Sequence, residues 1–327
     1  MRVKRILSGM RPSGKLHLGH LYGALNNWTK LQDEYECFYM VADWHALTTD
    51  YADTSKIADN TREMVIDWLT VGLDPQKSVI FRQSEVSEHA ELFLMLSMIT
   101  PLGWLFRCPT YKEQLTEIKD KDLHNFGFLG YPVLQAADIL IYKANAVPVG
   151  EDQLPHLELT REITRRFNNL YGNTFPEPQA ILTKSARVPG IDARKMSKSY
   201  GNAITLGEEP DDIKKKVQMM FTDPVKARAN DPGHPEGCVV YAFHAIFSPD
   251  MVKGIQTECK DGARGCVVCK KALTEQLVES LAPLREKRKT IAADRQFVEN
   301  VLKEGDKKAK AAAAETMAEV RKAIKFK

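Results

Sequence analysis

Short apolar runs alternate along the chain with longer stretches of helical period. Arg5 to Met10, Cys37 to Ala42 and Val79 to Arg82 are strand-length and nearly unbroken, the pattern of strands buried on both faces of a parallel sheet. Ser55 to Leu69 repeats its apolar residues at helical spacing, so the order reads as βαβ units and predicts an α/β domain. After about residue 207 the strand-like runs stop. Pro210-Asp211-Asp212 opens a segment whose Ile213, Val217, Met220 and Phe221 fall on one helical face, and Leu273, Leu277, Leu281 and Leu284 repeat the pattern. The expected division is therefore an α/β domain over 1–207 and a mostly helical domain over 208–327. Leu92 to Ile99 is almost uniformly apolar, which predicts a buried helix. No internal repeat is visible, and Ala311 to Ala314 is the one low-complexity stretch.

Composition narrows the class. The 327 residues are 43% hydrophobic and 27% charged, values of an ordinary globular protein that argue against wholesale disorder, collagen-like order or a coiled coil. Six cysteines are too few for a disulfide scaffold. The basic N-terminus lacks the apolar core of a signal peptide. Polar residues interrupt Leu92 to Phe106, so it falls short of a membrane span. These features predict a soluble, cytoplasmic protein with no membrane partner.

The net charge of +3 hides an asymmetry: residues 1–190 carry 20 Lys and Arg against 23 Asp and Glu, and residues 191–327 carry 26 against 20. The excess sits in runs such as Arg285, Lys287, Arg288, Lys289 and Lys307, Lys308, Lys310. A solvated helix face would give such runs, and so would a polyanion-binding module joined to a small-molecule site.

Two motifs decide between these readings. Gly9-Met10-Arg11-Pro12-Ser13-Gly14-Lys15-Leu16-His17-Leu18-Gly19-His20 follows the first strand. A glycine-rich strand-to-helix turn lets backbone approach a ligand and presents free N–H groups to phosphate. His17 and His20 can then line phosphates while Gly19 leaves room for a flat base. The second motif is Lys195-Met196-Ser197-Lys198-Ser199, flanked by Pro189, Gly190 and Gly201. Such a cationic loop suits the charge that develops on a leaving pyrophosphate. Together the two resemble the paired signatures of class I aminoacyl-tRNA synthetases, here HLGH and KMSKS.

The residues between them narrow the family. Tyr131-Pro-Val-Leu-Gln135-Ala-Ala-Asp138-Ile-Leu and Val147-Pro-Val-Gly150-Glu151-Asp152-Gln153-Leu-Pro-His156-Leu-Glu-Leu-Thr-Arg161 closely resemble bacterial tryptophanyl-tRNA synthetases, and the likeness spans nearly the whole chain. The resemblance implies a Rossmann-like catalytic domain and a helical anticodon-binding domain. It implies that Asp138 accepts the indole N–H, that Tyr131 and Gln153 hold the α-amino end, and that His45 is a substrate-side histidine. Gln135 would lie beside the indole. The ATP contacts it implies are Arg11, Ser13, Gly19, His20, Asp152, Lys195, Met196, Ser197 and Lys198, with Lys195, Lys198, His17 and His20 as the catalytic set. ATP with Mg²⁺, L-tryptophan and tRNA(Trp) are the expected ligands, and a homodimer is expected through the Leu92 to Ile99 helix. The physical reading agrees on Asp138: a buried carboxylate that accepts a ring N–H rejects an analogue lacking the donor, which would leave the acceptor unpaired.

The chain departs from well-known members at three places. Gln135 replaces a methionine, and Gln-x-x-Asp also occurs in tyrosyl-tRNA synthetases, which keeps tyrosine as the alternative substrate. Arg11 replaces a glutamine. Gln114 occupies the place of a phosphate-binding lysine, for which Lys112 is the nearest candidate.

Cys238, Cys259, Cys266 and Cys269 are spaced Cys-x20-Cys-x6-Cys-x2-Cys. Four thiolates meeting at one point would suit tetrahedral zinc or a [4Fe-4S] cluster, and the spacing leaves both open. A subgroup of the resembled family carries a [4Fe-4S] cluster in this region, which implies the cluster rather than zinc. Cys37 and Cys108 read as packing residues. Outside this family, a small-molecule nucleotidyltransferase would share the first motif but not the second, and a non-catalytic RNA-binding iron–sulfur protein would keep the cysteines alone.

Overall fold

The structure, a computed structural model, describes residues 4–117, 121–182 and 188–326. The chain divides into two compact units, each assembled from separate segments. The first comprises Met1–Gly14, Asn27–Thr183 and Asp294–Lys327, and the second Lys15–Asn26 and Lys184–Ala293.

Among the described residues the first unit holds one five-stranded sheet: β1 (Arg5–Met10), β2 (Glu36–Val41), β3 (Ser78–Arg82), β4 (Ala146–Val149) and β5 (Gln179–Leu182). All pairings are parallel, in the order β3-β2-β1-β4-β5. The registers run Arg5 against Glu36 and Cys37 against Ser78 on one side, and Ile6 against Ala146 and Ala146 against Gln179 on the other. Cys37 through Val41 are all buried, as a strand covered on both faces requires. The strand order reverses at β1 and β4. In sheets of this type ligands bind at such a switch point, beyond the carboxyl ends of the strands. Arg11 and Ser13 follow β1 there, and Asp152 and Gln153 follow β4.

The helices that bear on the site and its surroundings are α1 (Asp43–Asp50), α2 (Ile57–Val71), α3 (Glu88–Ile99), α4 (Phe126–Ile141), α5 (Leu154–Tyr171), α6 (Pro210–Met219), α7 (Val239–Phe247), α8 (Val252–Lys260), α9 (Cys266–Ala293) and α10 (Arg295–Ala323). Among the described residues no helix is long and apolar enough to cross a membrane. Helix α4 starts where Asn125 accepts a hydrogen bond from the Phe128 N–H at 2.9 Å, satisfying one of the free donors of its first turn. Tyr131, Gln135 and Asp138 recur on it at i, i+4 and i+7, one face of the helix.

Three expectations change. The segment after residue 207 does not fold as one body, because α10 lies on the sheet. Its apolar stripe includes Val298, Leu302, Ala309, Ala313 and Met317, all buried. Gly305 lets its backbone come so close to β3 that a Cβ would stand 1.7 Å from the Ile80 carbonyl oxygen. Asp306 accepts from the Arg82 N–H at 2.8 Å and from its guanidinium at 3.1 Å, so α10 covers the open edge of the sheet. Lys307, Lys308 and Lys310 form this helix's solvent face and do not belong to the second unit.

The basic run before it is also partly consumed. Arg285 is buried, donates to the Glu208 carbonyl at 3.3 Å, and Lys289 pairs with Glu209 at 3.3 Å. Even so, the charge asymmetry follows the compact units: the second carries 20 Lys and Arg against 14 Asp and Glu.

Helix α3 is not buried all round. Leu92 and Leu96 face the core, whereas Leu94 and Met98 are 55% and 74% exposed.

Candidate active site

In the second unit the two signature motifs come together. The Leu18 N–H donates to the Ile204 carbonyl at 3.0 Å and the Leu206 N–H to the Leu16 carbonyl at 3.1 Å, with His17 paired to Thr205 between them. This zips HLGH onto the chain that leaves KMSKS. His17-Leu18-Gly19-His20 turns into a short helix and then one π-helical turn over Leu21–Leu25, an irregularity frequent at functional sites. The His17 N–H donates to His20 Nδ1 at 3.2 Å and the two rings lie 3.8 Å apart. A Cβ on Gly19 would meet the His17 ring at 2.9 Å and the Met196 side chain at 3.6 Å. Gly19 therefore leaves room for the His17 ring folded over it.

The electrostatics of this corner are specific. Burial, reinforced by the charge of Lys198, pushes His17 down to about 4. Burial pushes His20 to about 3, with His17, Lys198 and Lys195 acting in the same direction. Both rings are neutral at pH 7 and can offer N–H groups to a phosphate, while the cationic charge stays on the lysines. His17 Nδ1 is buried without a partner, a polar atom that a bound oxygen would satisfy.

Asn202 holds the KMSKS loop. Its Oδ1 accepts from the Ser197 N–H at 2.8 Å, and its Nδ2 donates to Asp192 at 2.7 Å and to the Lys195 carbonyl at 3.1 Å. A Cβ on Gly190 would strike that amide at 2.2 Å, so the glycine makes room for the pin. The Ser199 side chain lies outside the described residues.

The first unit carries a second cluster, around Asp138. Its carboxylate is buried. Oδ2 accepts from His45 Nε2 at 2.7 Å, and Oδ1 accepts from Gln83 Nε2 at 2.8 Å and His89 Nδ1 at 2.7 Å. Burial alone would raise the acid, but the hydrogen bonds from His45 and His89 outweigh it and hold it at about 2. Gln83 also accepts the His45 N–H at 3.4 Å. Beside this group the Tyr131 phenol meets His156 Nε2 at 2.8 Å. Burial pushes Tyr131 up and pushes His156 down to about 4, with His45 adding to the second shift. Gln135 is half-buried, one turn from Asp138.

The remaining predicted contacts lie at the strand ends. Gln153 donates to Asp152 at 3.0 Å, and a Cβ on Gly150 would meet that carboxylate at 2.6 Å. Arg11 bonds Thr49 and lies 3.5 Å from Asp50. Ser13 and Lys112 are exposed, and the Gln114 side chain lies outside the described residues.

The four cysteines of the second unit line one cavity with Thr222, Tyr241 and Arg264. It holds about 360 Å³ of space, part of it open to solvent. Burial, with the neighbouring Cys238, Cys259 and Cys266, pushes Cys269 up to about 12 against the opposing Arg264. Cys259 is also raised by burial, opposed by Lys226. The thiols share a space but do not close on a point: among the described residues no three His, Cys, Asp or Glu side chains are placed to hold a metal ion. Cys37 and Cys108 are buried.

Four residues given no role from the sequence are central here: Gln83, His89 and Asn202, and His156, which the sequence shows only as part of a motif. Gln83 follows the carboxyl end of β3, where ligand groups gather in such sheets. His89 precedes Leu92 and Leu96 on an apolar face, where an unexplained polar residue signals a buried partner.

A family described as tRNA synthetases class I (W and Y) matches residues 2–282. The chain is 55% identical to a tryptophan–tRNA ligase of Thermotoga maritima, over 98% of both chains. It is 48% identical to that of Aquifex aeolicus, over 98% of this chain and 99% of the other. The tryptophanyl-tRNA synthetase of Campylobacter jejuni, solved with ADP and tryptophan, superimposes with a TM-score of 0.88 at 34% identity, covering 98% and 99% of the two chains. The chain belongs to the class I tRNA synthetases that serve tryptophan and tyrosine. Within that family, the full-length relatives named above are all tryptophan enzymes.

Proposed function

We infer that the protein is an ATP-dependent tryptophan–tRNA ligase. The observation that carries this reading is the 55% identity to a tryptophan–tRNA ligase along essentially the full length. The joining of HLGH to KMSKS supports it.

In the first step an oxygen of the tryptophan carboxylate bonds to the α-phosphorus of ATP and the bond to the β-phosphate oxygen breaks, releasing pyrophosphate. No general base is required, since that carboxylate is ionised at pH 7. Lys195 and Lys198 stabilise the charge on the departing pyrophosphate, and neutral His17 and His20 donate to phosphate oxygens. Mg²⁺, when bound, adds positive charge on the phosphates. In the first unit Asp138 receives the indole N–H, and Tyr131 and Gln153 the ammonium. Arg11, Ser13 and Asp152 lie where the strand order turns, suited to the nucleotide. In the second step a ribose hydroxyl at the tRNA 3′ end attacks the anhydride carbonyl and AMP leaves. The net positive second unit supplies a salt-dependent attraction for tRNA. Exposed Leu94, Met98, Leu102 and Phe106 form an apolar surface suited to a homodimer, which sedimentation would test. A cytoplasmic location fits this chemistry.

Amino-acid-dependent exchange of pyrophosphate into ATP, run with all twenty amino acids, tests the assignment. Tryptophan should support it above every other; a preference for tyrosine would overturn the reading.

The cysteines are assigned to a [4Fe-4S] cluster. The four thiols line one cavity, and Lys226 and Arg264 beside it offset thiolate charge. Loading would require four deprotonations and a local closing of the cavity. Anaerobically purified protein should contain about four irons and four sulfides per chain, as such clusters require. Cys266→Ser or Cys269→Ser should abolish the brown absorbance and impair tRNA charging, with pyrophosphate exchange largely kept. Stoichiometric zinc would refute the cluster. Equal loss of both activities in a folded variant would refute the separation of roles.

A further inference from the structure

The Asp138 carboxylate is more fully committed than a simple substrate acceptor. A carboxylate offers about four lone-pair positions, two on each oxygen. Gln83 Nε2 and His89 Nδ1 take both positions on Oδ1, and His45 Nε2 takes one on Oδ2. One remains, on Oδ2. We propose that His89, oriented by Tyr142, is a positioning residue for substrate selection: it fixes the Asp138 carboxylate so that one acceptor position is left, for a ligand group that only donates.

The orientation of His89 follows from its second neighbour. Tyr142 is fully buried, and its hydroxyl lies 2.7 Å from His89 Nε2. Burial, with the nearby Asp138 charge, keeps that phenol protonated, and a buried O–H needs an acceptor. His89 Nε2 is the acceptor, so the ring carries its proton on Nδ1 and donates it to Asp138. His89 is itself fully buried. It stacks near Phe81, with ring centroids 6.1 Å apart, and cannot turn away to find water. The chain of donors runs from Tyr142 through His89 to Asp138 Oδ1, and each link has one direction.

This direction bears on selectivity. An indole N–H is a donor with no acceptor, whereas a phenol hydroxyl both donates and accepts. His45 Nε2, His89 Nδ1 and one N–H of Gln83 are already spent on the carboxylate, so a phenol oxygen placed there would gain its one donated bond and find no donor on the two imidazole nitrogens that hold Asp138. The inference rests on the tryptophan reading of this site and extends it to the residues that make the acceptor selective.

The probe is β-(benzothien-3-yl)alanine, which keeps the shape of tryptophan but replaces the indole N–H by sulfur. Pyrophosphate exchange is measured with tryptophan, this analogue and tyrosine, on wild type, His89→Leu, His89→Asn and Tyr142→Phe, with melting temperatures recorded. His89→Leu should lower kcat/KM for tryptophan by roughly 10- to 100-fold, the size of one unpaired buried polar contact, mainly through KM. The analogue should be affected far less, so the tryptophan preference collapses. His89→Asn, whose amide can replace Nδ1 as donor, should recover most of the preference. Tyr142→Phe should show a smaller loss of the same kind, because it removes the donor that fixes the ring. If His89→Leu does not fold, the last two variants carry the test.

An unchanged ratio of tryptophan to analogue in folded His89→Leu, or in both His89→Asn and Tyr142→Phe when His89→Leu is unfolded, overturns the proposal. Loss in His89→Asn equal to that in His89→Leu also overturns it. A wild type that activates tyrosine in preference to tryptophan overturns instead the reading of the site on which it rests.

Discussion

Lys198→Ala should slow tryptophan activation by about 100-fold or more, the usual cost of removing a group that stabilises transition-state charge, while ATP binding weakens only a few-fold. The expectation comes from where the charge sits. Burial is the largest cause holding His17 and His20 neutral and it remains when Lys198 is removed, so the histidines do not replace the lost cation. As pyrophosphate departs, negative charge grows on its bridging oxygen, and an interaction stronger there than in bound ATP lowers kcat rather than raising KM. Single-turnover exchange, with ATP affinity measured separately by calorimetry, distinguishes the two. Equal losses in rate and affinity would show that Lys198 only holds the ground state. Lys198→Arg keeps the charge but not the compact ammonium, and should fall between the two.

The same corner shows what the sequence could and could not disclose. The motifs were legible because chemistry fixes their residue types: phosphate needs glycine, donors and cations within a few residues of one another. Their meeting was not, because the Leu18 to Ile204 hydrogen bond joins residues far apart in the chain, and periodicity reads only local order. The strands at Arg5, Cys37 and Val79 were visible from unbroken apolar runs, and the observed elements start within a residue of them. β4 and β5 are four residues each, too short for a distinct pattern.

Helix α10 misled for a physical reason. Its alanines and lysines read as a solvated or nucleic-acid-binding tail, yet Gly305 lets the helix press against β3, and Ala309 and Ala313 are buried in the core. Small residues on a helix face signal close approach as well as low hydrophobicity, and composition does not separate the two. Asp138 was legible from its apolar neighbours, but its partners Gln83 and His89 arrive from other elements. The cysteine spacing disclosed a shared cavity and left its occupant open.

Asp138→Ala should reduce tryptophan exchange by about 100-fold or more and shrink the preference over phenylalanine, because selectivity built on a buried hydrogen bond is lost with the acceptor. The variant also leaves buried Gln83 and His89 and half-buried His45 without their common acceptor, and an unpaired buried polar group costs about 1–3 kcal/mol. Some loss of melting temperature is therefore expected, and Asp138→Asn, which keeps the volume and one acceptor oxygen, separates unfolding from loss of recognition. The pH dependence gives an independent check. The folded carboxyl is held at about 2, below its ordinary value of 3.8. Its stabilising contribution is thus fully present above about 4 and is lost as pH falls from there toward 2. The wild-type kcat/KM profile for tryptophan should show no ionisation of Asp138 between pH 5 and pH 9. An ionisation in that window that disappears in Asp138→Asn would mean that the carboxylate is not held charged by its donors. A folded Asp138→Ala that discriminates tryptophan from phenylalanine as well as wild type would remove Asp138 as the residue that reads the indole.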